Sequence, residues 1–397
     1  MKKAKFLIYA AVAATAAIVS SCSNEDVVEQ TPQKGRPIVV EASVDGSSRA
    51  TVATSFTGFK LYGYKDDADK TNFLDGVNFA NSGSSWVSVG SANWPEGSGS
   101  CNFYAISTQG AAEAPEGIDI TDLKNGTFSY TVPTDVANQK DILVASQNDV
   151  AYNDNAGKIK LGFKHALANV TMQLRFNITE GENSTPTGLN DQKLYIQYIT
   201  LHNVYVAGTY NSATNTWTPA ETATKQNVTI RFDGGDPNTE PTLILTPGRP
   251  TTNVTTDASN YQVLFDRTNS MMIMPQTLSR PTELSNFESN TTDQFIEIRC
   301  IQFTNVGAKH KVSRTESISL ENETPWTELG SQYVSDFPTS ISDNTDPHGC
   351  KSIYIPLSEA LTTAGFGVNK TYNLRLSIAN MLNNDGTKVV NVAEIAG

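Results

Sequence analysis

The chain has little positive charge and few of the side chains that bind metals or nucleic acids. It contains 29 Lys and Arg residues against 41 Asp and Glu, which gives a formal net charge of −12. No cluster of basic residues interrupts this acidic balance, so we expect no nucleic acid partner, since phosphate binding depends on such clusters. The 4 histidines are scattered. We therefore expect no metal site, no cofactor and no catalytic residue, and predict that the protein is not an enzyme.

Long hydrophobic runs are also scarce, with one exception near the amino terminus. Phe6 to Val19 contains no charged residue, but it is only fourteen residues long, whereas a membrane-spanning helix needs ~20. Lysines precede this run, and small residues lead from it into Cys22. The pattern predicts a lipoprotein signal peptide over residues 1–21, and acyl chains on Cys22 that hold the mature protein on a membrane without a transmembrane helix.

Cysteine is limited to 4 residues in the whole chain. If Cys22 bears lipid, the remaining three, Cys101, Cys300 and Cys350, form an odd set. At most one disulfide is then expected, and the spacing matches no zinc pattern. The acidic stretch from Asp66 to Asn72 is not an EF-hand, because it lacks the glycine and the final glutamate of that calcium loop.

The composition is instead that of β-structure. Only 18% of the residues are charged, and Thr, Ser, Asn and Val are frequent, which favours strands and polar loops. Alternation of apolar and polar residues is clearest over 170–179. The sequence predicts an all-β protein with the turn spacing of β-sandwiches. A Gly- and Ser-containing stretch at 181–188 predicts a boundary, so we expect an N-terminal β-sandwich over 50–185 and a C-terminal one over 186–397.

A separate strand is predicted ahead of these domains, within a lipidated pro-segment over residues 22–49. Four apolar residues fall on one face at period two, which is typical of a half-buried strand: Ile38, Val40, Ala42 and Val44. Turn-forming residues end this strand. The sequence Arg49-Ala50-Thr51 then follows in a Ser-rich loop, where an arginine is open to trypsin-like cleavage.

For His165 and for the tryptophans, a functional interpretation has to be weighed against a structural one. His165 lies where the apolar run of one strand passes to the next, and we interpret it as a positioning histidine that bonds loop backbone rather than as a catalytic imidazole. Large aromatic residues are more often part of a core, but stacked on pyranose faces they would form a sugar platform: Trp86, Trp94, Trp217 and Trp326. The alternative function is therefore a surface glycan-binding lipoprotein of a polysaccharide-uptake system.

Short motifs occur in a fixed order along most of the mature chain. They are the lipobox at Cys22, Arg49-Ala50-Thr51, Phe59-Lys60-Leu61-Tyr62-Gly63-Tyr64, the Phe163/His165/Leu167/Val170 pattern, Met274-Pro275-Gln276-Thr277-Leu278 and the strand with Tyr372. In this order they resemble the Bacteroidales fimbrillins, the subunits and accessory proteins of the type V pilus. The acidic residues after Cys22 also resemble the tag that sends Bacteroidales lipoproteins to the outer face.

The resemblance implies two tandem transthyretin-like (Greek-key) β-sandwich domains in a structural, adhesive subunit of a fimbria at the outer membrane and cell surface. It also implies that an arginine-specific protease cuts after Arg49, that Ala50 becomes the amino terminus, and that subunits assemble by donor-strand exchange. The implied partners are other fimbrial subunits in a homo- or hetero-polymer, that protease, the outer membrane through the lipid before maturation, and a host or bacterial surface ligand.

Removal of the first strand gives this maturation a physical meaning. It would leave backbone groups unpaired and uncover an apolar groove, which an extended segment of another subunit can fill. Burial of four aliphatic side chains would contribute roughly 6–12 kcal/mol before ordering costs. Residues 387–397 are strand-prone but alternate poorly, so we expect either a weak donor strand or a strand that closes the second sandwich. A shaft or tip role is favoured over an anchor.

Overall fold

The computed structural model describes two long stretches and several shorter ones. The described residues are 35–44, 56–97, 99–153, 157–177, 192–221, 224–232, 234, 242–245, 247–248, 262–263, 270–279, 291–306, 309–312, 317–319, 351–357, 364–378 and 390–395. Within these ranges no helix has the length and apolar composition that crossing a membrane requires.

The described residues form strands joined by turns, as the composition predicts. The first part contains β1 (Val39–Val44), β2 (Gly58–Lys65), β3 (Asn72–Asn81), β4 (Trp86–Ser88), β5 (Ser100–Thr108), β6 (Thr127–Thr131), β7 (Ile142–Ala151), β8 (Lys158–His165) and β9 (Ala168–Asn177). Single turns of 3-10 helix lie at Leu123–Asn125 and Val136–Asn138.

The second part continues in the same way. It contains β10 (Gln192–Val204), β11 (Ala207–Asn211), β12 (Thr216–Pro219), β13 (Gln226–Arg231), β14 (Leu243–Leu245), β15 (Pro247–Gly248), β16 (Gln262–Val263), β17 (Met271–Ile273), β18 (Gln276–Thr277), β19 (Phe295–Val306), β20 (Lys309–Val312), β21 (Ser317–Ser319), β22 (Lys351–Pro356), β23 (Gly365–Phe366), β24 (Thr371–Ile378) and β25 (Val390–Ile395). The prediction of an all-β protein is confirmed.

Seven of the described strands join into one closed sheet, in the order β1-β4-β3-β2-β5-β7-β8. The pairs are antiparallel except for β1 and β8, which run parallel and close the ring. The ring is therefore completed by a strand that precedes Arg49 in the sequence.

The closed sheet surrounds an aromatic core. Phe59, Phe79, Phe103 and Phe163 are fully buried there. The Phe59 ring stacks on Phe79 at 5.3 Å between centroids and lies 5.1 Å from Phe163. Because side chains alternate between the faces of a strand, each of these strands also has residues on the outer side of the ring. We call the cluster inside the ring the inner core.

The second sheet system begins at β9. This strand runs parallel to β24 over eight residue pairs, and β25 pairs antiparallel with β24 at the end of the sheet. β9 falls within the range 50–185 predicted for the N-terminal domain, yet its described partners all belong to the range 186–397. The change of sheet therefore lies between β8 and β9. The predicted boundary near residue 185 is outside the described residues.

A second hydrophobic cluster joins the outside of the closed sheet to the strands that follow it. Tyr62 and Tyr104, which alternate with inner-core residues on β2 and β5, share this cluster with Leu174 of β9 and Ile199 of β10. Backbone pairing also links the two parts, because β6 pairs with β11. The indole N–H of Trp217 donates a hydrogen bond of 2.7 Å to the carbonyl oxygen of Ala166.

We expect the substitution Phe59→Ala to lower the free energy of unfolding by about 3–5 kcal/mol, because it leaves a cavity among packed rings. The measurement is urea unfolding of the purified protein. Val89→Ala is the control, since Val89 is 68% exposed and its truncation should change stability by less than about 0.5 kcal/mol. An equal loss in both variants would contradict a packed inner core.

Candidate functional site

The candidate site is β1 together with the surface that it covers. β1 runs parallel to β8 over six residue pairs, from Val39 with Lys158 to Val44 with Phe163. On its other side the described residues give one pair with β4, Val40 with Trp86. β1 is therefore held mainly by the ladder to β8.

The side chains of β1 alternate as the sequence predicts. Ile38, just before the strand, is 6% exposed and Val40 is 4% exposed, while Ala42 and Val44 are half-buried against the inner core. Val39 on the outer face is 46% exposed. Burial of Ile38 and Val40 contributes about 3–6 kcal/mol, and the two half-buried residues contribute less than full burial would. The total therefore falls toward the lower end of the range expected from the sequence.

The surface under β1 is apolar. Three residues of β8 face the inner core and are fully buried: Ile159, Leu161 and Phe163. Near the end of β1 the Phe163 ring lies 4.8 Å from Phe56, whose ring is 5.0 Å from that of Trp86. We call this surface of β8 and the adjoining rings the β1 groove. A strand with small aliphatic side chains at every second position fits it, as β1 does.

The residues before β1 are also fixed to the closed sheet. The N–H of Ile38 donates to the carbonyl oxygen of Ala92 at 2.8 Å, and the N–H of Trp94 donates to that of Arg36 at 2.9 Å. The guanidinium of Arg36 lies 4.1 Å above the ring centroid of Tyr152. These contacts anchor the segment at the end opposite to the Arg49 junction.

The outer face of β1 makes an ion pair. Nζ of Lys158 lies 3.0 Å from Oε1 of Glu41, and both side chains are about half exposed. The hydrogen bond and the charge of Lys158, with a smaller effect of Lys160, hold the pKa of the Glu41 carboxyl below its ordinary value. Neither this ion pair nor the residues of β8 that line the β1 groove were identified from the sequence. The signal was present in the alternation Lys158-Ile159-Lys160-Leu161, but the sequence does not show which strand lies beside it.

The other predicted site residues, Cys22, Arg49 and Ala50, lie outside the described residues. The strand predicted at the carboxyl end is β25, which pairs with β24 through its whole length, from Val390 with Ile378 to Ile395 with Asn373.

The comparisons agree with the resemblance inferred from the motifs. The family model described as "Fimbrillin-like" matches residues 48–315. The chain belongs to the fimbrillin-like family. Among curated proteins none matches it.

Similar solved structures include proteins of Bacteroides. A fimbrial protein from Bacteroides vulgatus ATCC 8482 is 14% identical, with a TM-score of 0.50, and the match covers 91% of this chain and 98% of that one. A candidate cell adhesion protein from Bacteroides uniformis ATCC 8492 is 12% identical with a TM-score of 0.43, over 92% of this chain and 99% of that one. At these identities the first similarity shows the fold of this fimbrillin-like chain.

His165, a further candidate residue of this fimbrillin-like protein, is held at a turn by contacts with other parts of the chain. His165 is buried, and its Nδ1 lies 2.6 Å from Oδ2 of Asp141, so the ring contacts a carboxylate rather than loop backbone. The loop contact predicted for His165 is made by its backbone instead. Its N–H donates to Oδ1 of Asn369, and its carbonyl oxygen accepts from the N–H of Asn369. His165 thus fixes the turn between β8 and β9.

The tryptophans and acidic residues lend little support to a ligand site in the described part of the chain. Trp94 and Trp217 are buried, Trp86 is half-buried within the inner core, and Trp326 lies outside the described residues. Asp67 accepts hydrogen bonds from Thr71, which lower the pKa of its carboxyl and close a turn. The described ranges contain no group of three or more His, Cys, Asp or Glu residues placed to hold a metal.

The cysteines of the described residues are buried in different places. Cys101 lies in the inner core and Cys300 in the second cluster, and no disulfide joins them. Burial raises the pKa of the Cys101 thiol to about 11, which keeps it protonated at neutral pH. Cys22 and Cys350 lie outside the described ranges.

The two faces of β1 provide a matched test. Val40→Asp places a carboxylate in the inner core, and we expect it to lower the free energy of unfolding of the uncleaved protein by more than about 3 kcal/mol. Val39→Asp introduces the same group one residue earlier on the exposed face and should cost less than about 1 kcal/mol. Urea unfolding measures both. Equal losses would mean that β1 does not bury one face in solution.

Proposed function

We propose that the protein is a non-enzymatic structural and adhesive subunit of a surface fimbria. It is exported as a lipoprotein through Cys22 to the outer membrane, cut after Arg49 by an arginine-specific protease, and assembled by donor-strand exchange with other fimbrial subunits. The finer fold is part of the proposal: the two hydrophobic clusters correspond to two tandem transthyretin-like β-sandwich domains. A host or bacterial surface molecule is the expected adhesion ligand.

One observation supports this function above the others. β1 completes the closed sheet and buries Ile38 and Val40, yet it precedes Arg49 in the chain. A cut after Arg49 therefore separates an integral strand from the rest of the sheet. Family membership supports the same function, since the family is fimbrillin-like.

The consequence of the cut follows from the pairing. Departure of β1 leaves the backbone of β8 without its six-residue partner and exposes Ile159, Leu161 and Phe163. Unpaired strand edges beside apolar surface bind extended segments by β-augmentation, in which main-chain hydrogen bonds supply affinity and side-chain pockets supply specificity. A segment of a neighbouring subunit satisfies both needs, which makes cleavage the trigger of assembly.

The alternative of a glycan-binding lipoprotein has weaker support. A sugar platform needs exposed aromatic faces, whereas Trp94 and Trp217 are buried. No contact in the described residues favours that function over the fimbrial one.

The proposal predicts that an arginine-specific protease converts the purified full-length precursor into oligomers. The new amino terminus should be Ala50, and ladders that resist denaturant should appear on gels, because each donated strand becomes part of a neighbour's sheet. Amino-terminal sequencing and mass spectrometry identify the cut. Random nicking that leaves a monomer would count heavily against donor-strand exchange.

Two charge-conserving variants separate the Arg49 cut from general proteolysis. Arg49→Lys removes the cleavage residue and should remain unpolymerised under the same treatment. Arg36→Lys also removes one arginine from the pro-segment but keeps a cation over the Tyr152 ring, so it should polymerise like the parent. If Arg49→Lys forms ladders as the parent does, the trigger is not at Arg49.

A further inference from the structure

The outward face of β8 is basic within an acidic protein. Lys158 and Lys160 are exposed and Lys164 is half-exposed on this face, with Gly162 between the last two, while Ile159, Leu161 and Phe163 face the inner core. Alternate residues of a strand lie about 6.6–6.8 Å apart on one face. Lys158 and Lys160 therefore form a short positive row beside the β1 groove, in a chain whose net charge is −12.

β1 supplies the complementary charge. Glu41 is its one acidic residue, and it lies on the exposed face between the inward positions Val40 and Ala42. Its backbone is level with Lys160, and its carboxylate contacts Nζ of Lys158 at 3.0 Å. The carboxylate thus lies beside both lysines of the row.

The charge pair and the groove are separate features of the same site. The groove requires apolar side chains at the inward positions but sets no condition on the outward ones. When β1 departs, the lysines lose the Glu41 carboxylate while remaining fixed on β8. Any strand that takes the place of β1 brings its own outward residue beside them.

We propose that the β1 groove selects an incoming strand with a carboxylate at the outward position that Glu41 occupies, flanked by small aliphatic residues at the inward positions of Val40 and Ala42. This inference rests on the proposed donor-strand function and defines the chemistry of the partner segment. Charge complementarity across strands favours the matching partner and register, and a cationic residue in the same place is rejected.

The test uses full-length precursor, at low concentration, that is cut by the arginine-specific protease in the presence of the peptide, so that the peptide reaches the groove before a neighbouring subunit does. The probe is a fluorescent peptide with the sequence of residues 36–44, compared with its Glu41→Gln and Glu41→Lys versions by fluorescence anisotropy at low salt. We expect Kd to rise about two- to fivefold for the glutamine peptide and about tenfold for the lysine peptide, since an exposed ion pair has a modest effect. The net negative charge of the whole protein would favour the more cationic peptides, which is the opposite order of affinity. A preference for the glutamate peptide therefore reports the local effect of Lys158 and Lys160.

Charge reversal on β8 provides the matched control. The double variant Lys158→Glu with Lys160→Glu should prefer the lysine peptide. Lys164→Glu changes the same charge on the same face, but beyond the six residues that pair with β1, and should still prefer the glutamate peptide. At about 1 M salt the preference should shrink, because the Debye length falls to about 3 Å.

The outcomes separate the two proposals. Equal affinity for all three peptides, or an unchanged order in the charge-reversed variant, would overturn the charge selection and leave donor-strand exchange standing. If no peptide binds and the cut protein also forms no oligomers, even though mass spectrometry shows that the segment ending at Arg49 has dissociated, the groove does not accept strands and both proposals fail.

Discussion

The parallel ladder between β1 and β8 is the contact on which the closed sheet depends. β8 pairs with β7 only through Leu143 and Val144 within the described residues, whereas six of its residues pair with β1. Most of the backbone hydrogen bonding available to β8 therefore comes from a strand more than a hundred positions earlier. Buried backbone groups need partners, so the state of β1 decides whether the strand that covers the inner core is fully bonded.

The two faces of β1 have different physical roles. Ile38 and Val40 are buried and account for most of the apolar free energy of the strand, and that energy is insensitive to the identity of the chain that supplies the side chains. Glu41 on the other face contacts Lys158 through a solvent-exposed ion pair. This interaction is weak, but it becomes repulsive when the charge at the position of Glu41 is reversed. Stability of the closed sheet and recognition of a particular strand can therefore vary independently along the same six residues.

Local patterns in the sequence predict local features well. The period-two alternation of residues 38–44 indicates a half-buried strand, and its burial follows that pattern because it depends only on which residues share a face. The identity of the neighbouring strand is different, since the pairing of Val40 with Ile159 joins distant parts of the chain. For the same reason the sequence places β9 with the strands before it, whereas its ladders are to later ones. Likewise, no local signal distinguishes a buried Trp94 from an exposed one.

The position of β1 ahead of the other strands of the closed sheet has a consequence for how the subunit reaches its native state. β1 emerges from the ribosome before the strands that it will join, and it is present while the phenylalanine rings of the inner core come together. In the proposed maturation β1 acts as an intramolecular chaperone, a template that the cut after Arg49 would remove. A subunit made without residues 22–49 would have to form the closed sheet while the backbone groups of β8 that pair with β1 lack their partners. Unpaired backbone beside apolar surface favours misfolding and aggregation. The segment ahead of Arg49 would thus be needed for folding even where the proposed cleavage later removes it.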